Sequence, residues 1–396
     1  MTNWIELESQ YYMYCARRQP IVITRGQGTR VWDSDDKEYL DFTAGWAVDS
    51  LGHCPEVMVT ALQEQAGRLM QTSNQFYTIP QIQLAQLLVE NSCLDKVFLC
   101  NSGAEANEGA IKLAKKYGKK HKDGAHEIIT ALNSFHGRTL NTVSATGQPH
   151  YQKLFEPIPS GFKHVPFNDL EAIKKATSNT TVAVMLEPVQ GEGGVNIPSD
   201  DYLKSVRDWC DANELLLILD EIQTGLGRIG TLFAYETFGV EPDIMSLAKG
   251  LGGGVPIGAF MATNKACAFD PGDHGSTFGG NPLTCAAAYA STEYIINNDV
   301  SANAKLMGEY LGKGLANIQQ NHEFISEVRG IGLLWALQFN SDLTPSVIEQ
   351  SNKAGLLMNP LRPNAIRLMP PLTVTKEEID QALAKLELAL VQAVRN

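Results

Sequence analysis

Leu215-Leu216-Leu217-Ile218-Leu219-Asp220-Glu221-Ile222-Gln223 sets five consecutive aliphatic residues directly against a carboxylate. A run this apolar suits a strand covered on both faces, the mark of a mainly parallel sheet, with Asp220 at its carboxyl end. A carboxylate buried there is costly unless a cation meets it; the plainer alternative is an aspartate that caps the next helix. The pattern recurs along the chain. Lys96–Cys100 leads into Asn101-Ser102-Gly103-Ala104, Glu127–Leu132 into Phe135-His136-Gly137-Arg138, and Thr181–Leu186 into Glu187-Pro188-Val189-Gln190-Gly191-Glu192. Asp243–Ala248 leads into Lys249 and the glycine-rich Gly250-Leu251-Gly252-Gly253-Gly254.

Helices are readable between these runs. Ala106, Ala110, Leu113, Ala114 and Tyr117 share one helical stripe, and Tyr202, Val206, Trp209 and Cys210 form another behind Ser199 as the expected cap. Alternating strands and helices give an α/β class with a large domain over residues 50–290. Residues 20–45 read as short strands around the polar turn Asp33–Lys37. Thr375-Lys376-Glu377-Glu378 is a capping box opening a helix with Ile379, Leu383, Leu386 and Leu390 inward. Segments 1–49 and 291–396 are expected to form a smaller α+β domain together.

A chain of 396 residues, 44% hydrophobic and 19% charged, is a soluble globular protein too long for one small core. Its 32 basic against 44 acidic residues give −12, which argues against nucleic-acid binding through a broad basic face. Met1–Gln10 holds acids, no basic residue and no apolar core of signal-peptide length, and no run of about 18 apolar residues occurs. A cytoplasmic protein without a membrane span is expected. Seven cysteines, an odd and scattered set without a CxxC pair, read as buried reduced thiols and not as a disulfide framework or metal site. Neither GxxxxGK[ST] nor HExxH is present, and no metal is expected.

Ligands in open α/β sheets sit beyond the carboxyl ends of the strands, so the five polar clusters can converge on one crevice. A lysine between an apolar strand and a glycine-rich loop is either a solvated surface group or a desolvated amine able to form a Schiff base. The helix start at Gly103 and Ala104 is either an ordinary glycine turn or a set of free amides for a phosphate. Phe135 and Arg138 are either a core aromatic and a surface cation, or a flat face and an anion-binding group. One cofactor uses all of them. Pyridoxal phosphate needs an amine for its aldehyde, a carboxylate at its pyridine nitrogen, a phosphate cradle and a ring stacker. Asp220 opposite the nitrogen would keep the ring protonated and electron-withdrawing.

Six ordered segments, NSGAEANE (101–108), FHGRTL (135–140), EPVQGEGG (187–194), LILDEIQTGLGR (217–228), SLAKGLGGG (246–254) and GSTFGGNPL (275–283), resemble those of class III, or ornithine-type, aminotransferases of the pyridoxal-phosphate fold-type I superfamily. The resemblance spans nearly the whole chain. It implies that Lys249 carries the cofactor and shuttles the proton, that Asp220 pairs with the pyridine nitrogen, and that Phe135 stacks on the ring. Gly103 and Ala104 are implied to hold the phosphate, with Thr277 reaching it from the neighbouring subunit of a homodimer with shared sites. Gln223 is implied to lie by the phenolic oxygen, with Glu221 and Ile222 in the same cofactor-binding segment.

For the substrates, the resemblance implies Arg138 as a carboxylate-binding group with Ser276 nearby. Arg367 is implied as a second carboxylate-binding arginine, covered by Glu192 until 2-oxoglutarate arrives. A glutamate on a loop flanked by Gly191 and Gly193 would then swing away. Ornithine enzymes carry a tyrosine in the segment equivalent to Ala16–Pro20 and another at Trp46. Neither is present, which counts against free ornithine. The resemblance is greatest to members acting on N-acetylornithine with 2-oxoglutarate in arginine biosynthesis, and Trp46 is expected to line the donor pocket. Ornithine, 4-aminobutyrate, succinylornithine and succinyl-diaminopimelate remain as other donors. Aminomutase or decarboxylase chemistry is disfavoured by Arg367 and Glu192, and a non-catalytic cofactor-binding role by the Lys249/Asp220 pair.

Overall fold

The computed structural model describes residues 3–395; Met1, Thr2 and Asn396, parts of the opening and closing segments read above, lie outside the described residues. Leu216–Asp220 is the central strand of a seven-stranded sheet. The order is Lys96–Cys100, Gly258–Ala262, Ile244–Leu247, Leu216–Asp220, Thr181–Leu186, Glu127–Ala131, Phe162–Val165. Only Gly258–Ala262 runs antiparallel to its neighbours, so the sheet is mainly parallel as expected. Gly258–Ala262 and Phe162–Val165 were not among the runs read from the sequence.

Every residue of Thr181–Leu186 and Leu216–Asp220 is buried, which is why these strands are apolar without alternation. Their side chains still divide by the two-residue period of a strand. Leu217, Leu219, Val184 and Leu186 pack on one face with Tyr202, Val206 and Cys210 of helix Tyr202–Ala212. Leu216, Ile218, Ala183 and Met185 pack on the other with Ala110, Leu113, Ala114 and Tyr117 of helix Gly103–His121. Helix Tyr202–Ala212 corrects one expectation. Its N-cap is Asp201, and the Ser199 hydroxyl donates to Asn168 Oδ1 at 2.9 Å, because a tight turn from Ser199 O to Tyr202 N precedes the helix.

Strands Ile23–Gln27, Arg30–Asp33 and Glu38–Asp41 form an antiparallel meander, and Glu38–Asp41 pairs in parallel with Leu356–Leu357. The two ends of the chain thus share a sheet. Asp33 Oδ1 closes the expected turn by accepting from the amides of Asp35 and Lys37, each at 2.9 Å. A second four-stranded sheet runs Ile325–Ile331, Leu334–Phe339, Ala365–Leu368, Asn359–Arg362. Thr375 and Glu378 exchange both bonds of the capping box, at 3.2 and 2.9 Å, ahead of helix Lys376–Arg395. That helix buries Ile379, Leu386 and Leu390, with Leu383 partly buried beside them. All seven cysteines are free; Cys100, Cys210 and Cys285 are buried, but Cys15, Cys54 and Cys267 are exposed because they sit in loops. Among the described residues no helix is long and apolar enough to cross a membrane.

Candidate active site

The strand ends open onto one cavity of about 460 Å³. Asp220, 3% exposed, forms its floor. Its Oδ2 accepts from Asn107 Nδ2 at 2.8 Å and His136 Nδ1 at 2.7 Å, and its Oδ1 from the Ile222 amide at 3.1 Å. Asn107 is held in turn by Ser246, whose hydroxyl donates to Asn107 Oδ1 at 2.6 Å. Three contacts from three different segments fix the side chain of Asp220 in place at the cavity.

Lys249 lines the same cavity just beyond strand Ile244–Leu247. Its backbone is left-handed, φ 43°, a strained conformation that costs a lysine on the order of 1–3 kcal/mol. Burial lowers its pKa below the usual lysine value; Glu192 and Asp220 oppose that shift and Arg367 adds to it.

Helix Gly103–His121 points its N-terminus at the cavity, with Ser102 as cap accepting from the Glu105 amide at 3.2 Å. Among the described residues no protein acceptor takes the Gly103 or Ala104 amide. A Cβ on Gly103 would lie 2.9 Å from Ile222 Cδ1 and 3.1 Å from its Cγ2, so a larger residue there would have to displace the Ile222 side chain. Phe135 supplies an aromatic wall. At its rim the Arg138 guanidinium stacks 4.0 Å from the Tyr151 ring centroid and 5.3 Å from that of Phe135.

Opposite, Glu192 Oε1 meets Arg367 at 2.7 Å, and Gln223 bridges the pair: its Nε2 donates to Glu192 at 3.3 Å and its Oε1 accepts from Arg367 at 3.2 Å. Burial pushes the Glu192 carboxyl up, but Arg367, Lys249 and the two hydrogen bonds outweigh it and hold the group at about 2.

The cavity therefore brings together Gly103, Ala104, Phe135, Arg138, Glu192, Asp220, Ile222, Gln223 and Lys249, with Arg367 bonded to two of them. Four expected residues stand elsewhere. Glu221 turns away and accepts from the amides of Ala234 and Tyr235, at 2.5 and 2.8 Å, because adjacent residues leave a strand in opposite directions. Trp46 is 61% exposed, not on the cavity wall; Ala44, Gly45, Trp46 and Ala47 all have positive φ, and this left-handed turn throws the indole outward while Val48 lines the cavity. Ser276 is one side chain removed, its Oγ accepting from Asn101 Nδ2 at 3.1 Å. Thr277 is exposed and off the cavity of its own chain.

Sequence reading assigned no role to Asn107, His136 or Glu187. For Asn107 a signal existed: a buried amide on an otherwise apolar helical stripe. Asp41, Asp49 and His53 bring oxygen and nitrogen atoms close enough for a metal ion, but Asp41 Oδ2 and His53 Nε2 bond each other at 2.8 Å away from the cavity.

Residues 12–390 match the family model described as Aminotransferase class-III. The chain belongs to that family. It is 50% identical to the acetylornithine aminotransferase of Methanocaldococcus jannaschii, over 97% of each chain. Among solved structures, the ornithine aminotransferase of Toxoplasma gondii superimposes with a TM-score of 0.96 at 35% identity, covering 99% of this chain and 95% of that one. The N-acetylornithine aminotransferase of Stenotrophomonas maltophilia gives 0.86 at 39% identity, over 99% of each.

This class III aminotransferase thus has the pyridoxal-phosphate fold-type I architecture and depends on pyridoxal phosphate. The cavity fits the group. It offers two free amides at a helix N-terminus, a carboxylate held by three donors, an aromatic wall and a desolvated amine.

Proposed function

We propose that this enzyme moves the terminal amino group of N-acetylornithine to 2-oxoglutarate, giving N-acetylglutamate semialdehyde and glutamate, as a cytoplasmic homodimer in arginine biosynthesis. The observation that carries the reading is the Glu192–Arg367 pair on the cavity wall beside Lys249. An ω-amine brings no carboxylate near its reacting carbon, so Arg367, 1% exposed, would be an unpaired buried cation without Glu192. 2-Oxoglutarate brings the carboxylate and replaces Glu192. The acylated donor is supported by the name of the Methanocaldococcus relative and by the missing ornithine-type tyrosines.

When bound, pyridoxal phosphate supplies an aldehyde that takes up the amino group and a protonated ring that withdraws electrons from the carbon losing its proton. Lys249 Nζ would hold the aldehyde carbon and move the proton. Asp220 would hold the proton on the ring nitrogen, oriented by Asn107 and His136. The Gly103 and Ala104 amides would hold the phosphate, Phe135 would cover one ring face, and Gln223 would lie by the phenolic oxygen. Arg138 at the rim would bind the donor's carboxylate.

A dimer is supported by the surface around Thr277. Phe76, Tyr77, Ile79 and Phe278 are 64%, 94%, 73% and 62% exposed, and Gln71 and Asn74 tie their segment to Thr277 and Ser276. Large apolar side chains grouped in this way mark a contact surface.

Absorbance-monitored half-reactions against a panel of ω-amines test the donor. N-acetylornithine should convert the cofactor to its amine form with the highest second-order rate constant. Faster conversion by ornithine or 4-aminobutyrate would overturn the donor assignment.

A further inference from the structure

Glu187 opens the segment EPVQGEGG, yet none of the roles above uses it. It follows strand Thr181–Leu186 at the cavity edge and is 6% exposed. Among the described residues no lysine, arginine or histidine pairs with it as an ion pair within 4.0 Å; the titratable groups around it are His136, Asp220 and Lys249. Burial pushes its carboxyl up to about 7. An acid in such a place is expensive, and its shape could be filled by an uncharged side chain at less cost.

What it gains is two backbone bonds to two different loops. Oε2 accepts from the Phe135 amide at 3.0 Å, and Oε1 from the Gly191 amide at 3.2 Å. Gly191 begins a closed hairpin: Gln190 and Asn196 exchange backbone bonds, and Arg362 and Arg329 donate to the carbonyls of Gly193 and Gly194. The hairpin carries Glu192. A Cβ on Gly191 would lie 1.6 Å from Gln223 Oε1, so its backbone is flush against the side chain that bridges Glu192 and Arg367. Gln190 Nε2 makes a separate tie, to Leu132 O at 2.8 Å, at the base of the hairpin.

We propose that Glu187 is a positioning residue whose single carboxyl group locks the Phe135 loop to the Glu192 hairpin, so that the cofactor-facing wall and the carboxylate gate hold one common geometry. This rests on the aminotransferase reading of the cavity. The lock needs two acceptors on one group, which the ionised carboxylate supplies above about pH 7, where the exchange measurements belong. Glutamine has the same shape but a single acceptor oxygen, and its NH₂ would face the other amide donor, so Glu187→Gln breaks one tie and strains the second.

Amide hydrogen exchange on the holoenzyme reads the lock directly. Glu187→Gln should accelerate exchange at both Phe135 and Gly191 by about tenfold or more, the scale of one buried hydrogen bond lost. Cofactor dissociation and KM for both 2-oxoglutarate and the amino donor should rise by about tenfold, because the two locked loops carry Glu192 and Arg138, while amide exchange in the strands of the large sheet stays unchanged. Acceleration at only one of the two amides, or at neither, overturns the proposal. Acceleration of exchange throughout the large sheet also overturns it, because general loosening would not be confined to the two tied loops. Should the glutamine variant fail to fold, the unmodified holoenzyme decides: the two amides should open together and exchange slowly at matched rates, and unmatched rates refute the lock. The exchange readout does not depend on substrate identity. A failure of N-acetylornithine as donor would leave the lock standing and remove only the substrate reading.

Discussion

Glu192 and Arg367 form an ion pair at 2.7 Å in which the two partners are unequally free: the arginine side chain is 1% exposed and the glutamate 33%. Arg367 lies within strand Ala365–Leu368, between Leu334–Phe339 and Asn359–Arg362, and cannot leave. The hairpin under Glu192 is closed by the Gln190–Asn196 bridge and held by Arg329 and Arg362. A gate at Glu192 is therefore expected to open by rotation of the glutamate side chain, which leaves the bonds that close the hairpin intact.

Glu192→Ala should leave Arg367 open, so that glutamate becomes the better amino donor while the ω-amine half-reaction slows. Arg367→Ala should mainly raise KM for 2-oxoglutarate by about tenfold or more, since a charge-assisted contact is lost. Stopped-flow rates of each half-reaction decide it; equal slowing of both would reduce the pair to a structural tie. With its folded pKa held at about 2, Glu192 contributes its pairing fully above the ordinary carboxylate range and loses it only as pH falls toward 2. Gate selectivity should thus be flat between about pH 5 and 9.

Lys249→Ala should abolish turnover and the borohydride-reducible link to the cofactor. Peptide mapping after reduction reads this, and a pyridoxyl group on another lysine in the variant would defeat the assignment.

Asp220→Asn should fold and lose about 10²-fold or more in kcat, because a neutral amide no longer stabilises a protonated ring. Near-normal turnover, measured at saturating cofactor, would return Asp220 to the role of a cap.

Thr277 is exposed and off the cavity of its own chain, so its effect should appear in the partner's site. Subunits carrying Lys249→Ala, mixed with subunits disrupted at Thr277, should regain activity through heterodimers with one intact site. Full activity from a sedimenting monomer would refute the shared site.

Burial pushes Glu221 up to about 8, even though the Ala234 and Tyr235 amides favour its carboxylate. The folded state therefore keeps a proton that the unfolded chain releases above about 4.5, and stability falls with rising pH across about 4.5–8 by at most about 1.4 kcal/mol per pH unit. Glu221→Gln removes this dependence. Thermal melts should show the stability deficit of the variant shrinking from pH 5 to pH 8; a constant gap would mean that Glu221 titrates normally.

The sequence by itself determined five of the seven strands of the large sheet, its mainly parallel sense and the residues that close those five strands. Continuous apolar runs ending in Asp220, in Asn101-Ser102-Gly103 and just before Lys249 are local signals, and burial on both faces of the sheet leaves no other pattern open to them. The capping box at Thr375 and Glu378 was legible for the same reason, since both partners lie within one turn. Direction was not legible. Asp220 and Glu221 are neighbouring acids that leave the strand end on opposite sides, and which of the two meets the cavity is decided by packing, where the Ala234 and Tyr235 amides take the second. Trp46 leaves the pocket through a left-handed backbone turn that side-chain periodicity does not encode. The network of Asn107, His136, Asp220 and Ser246 joins residues up to 139 positions apart. Its members were each visible, but their convergence depends on strand order and on which face of each element is turned inward. Tertiary structure decides both, because burying those side chains is favourable only once the other partners are in place.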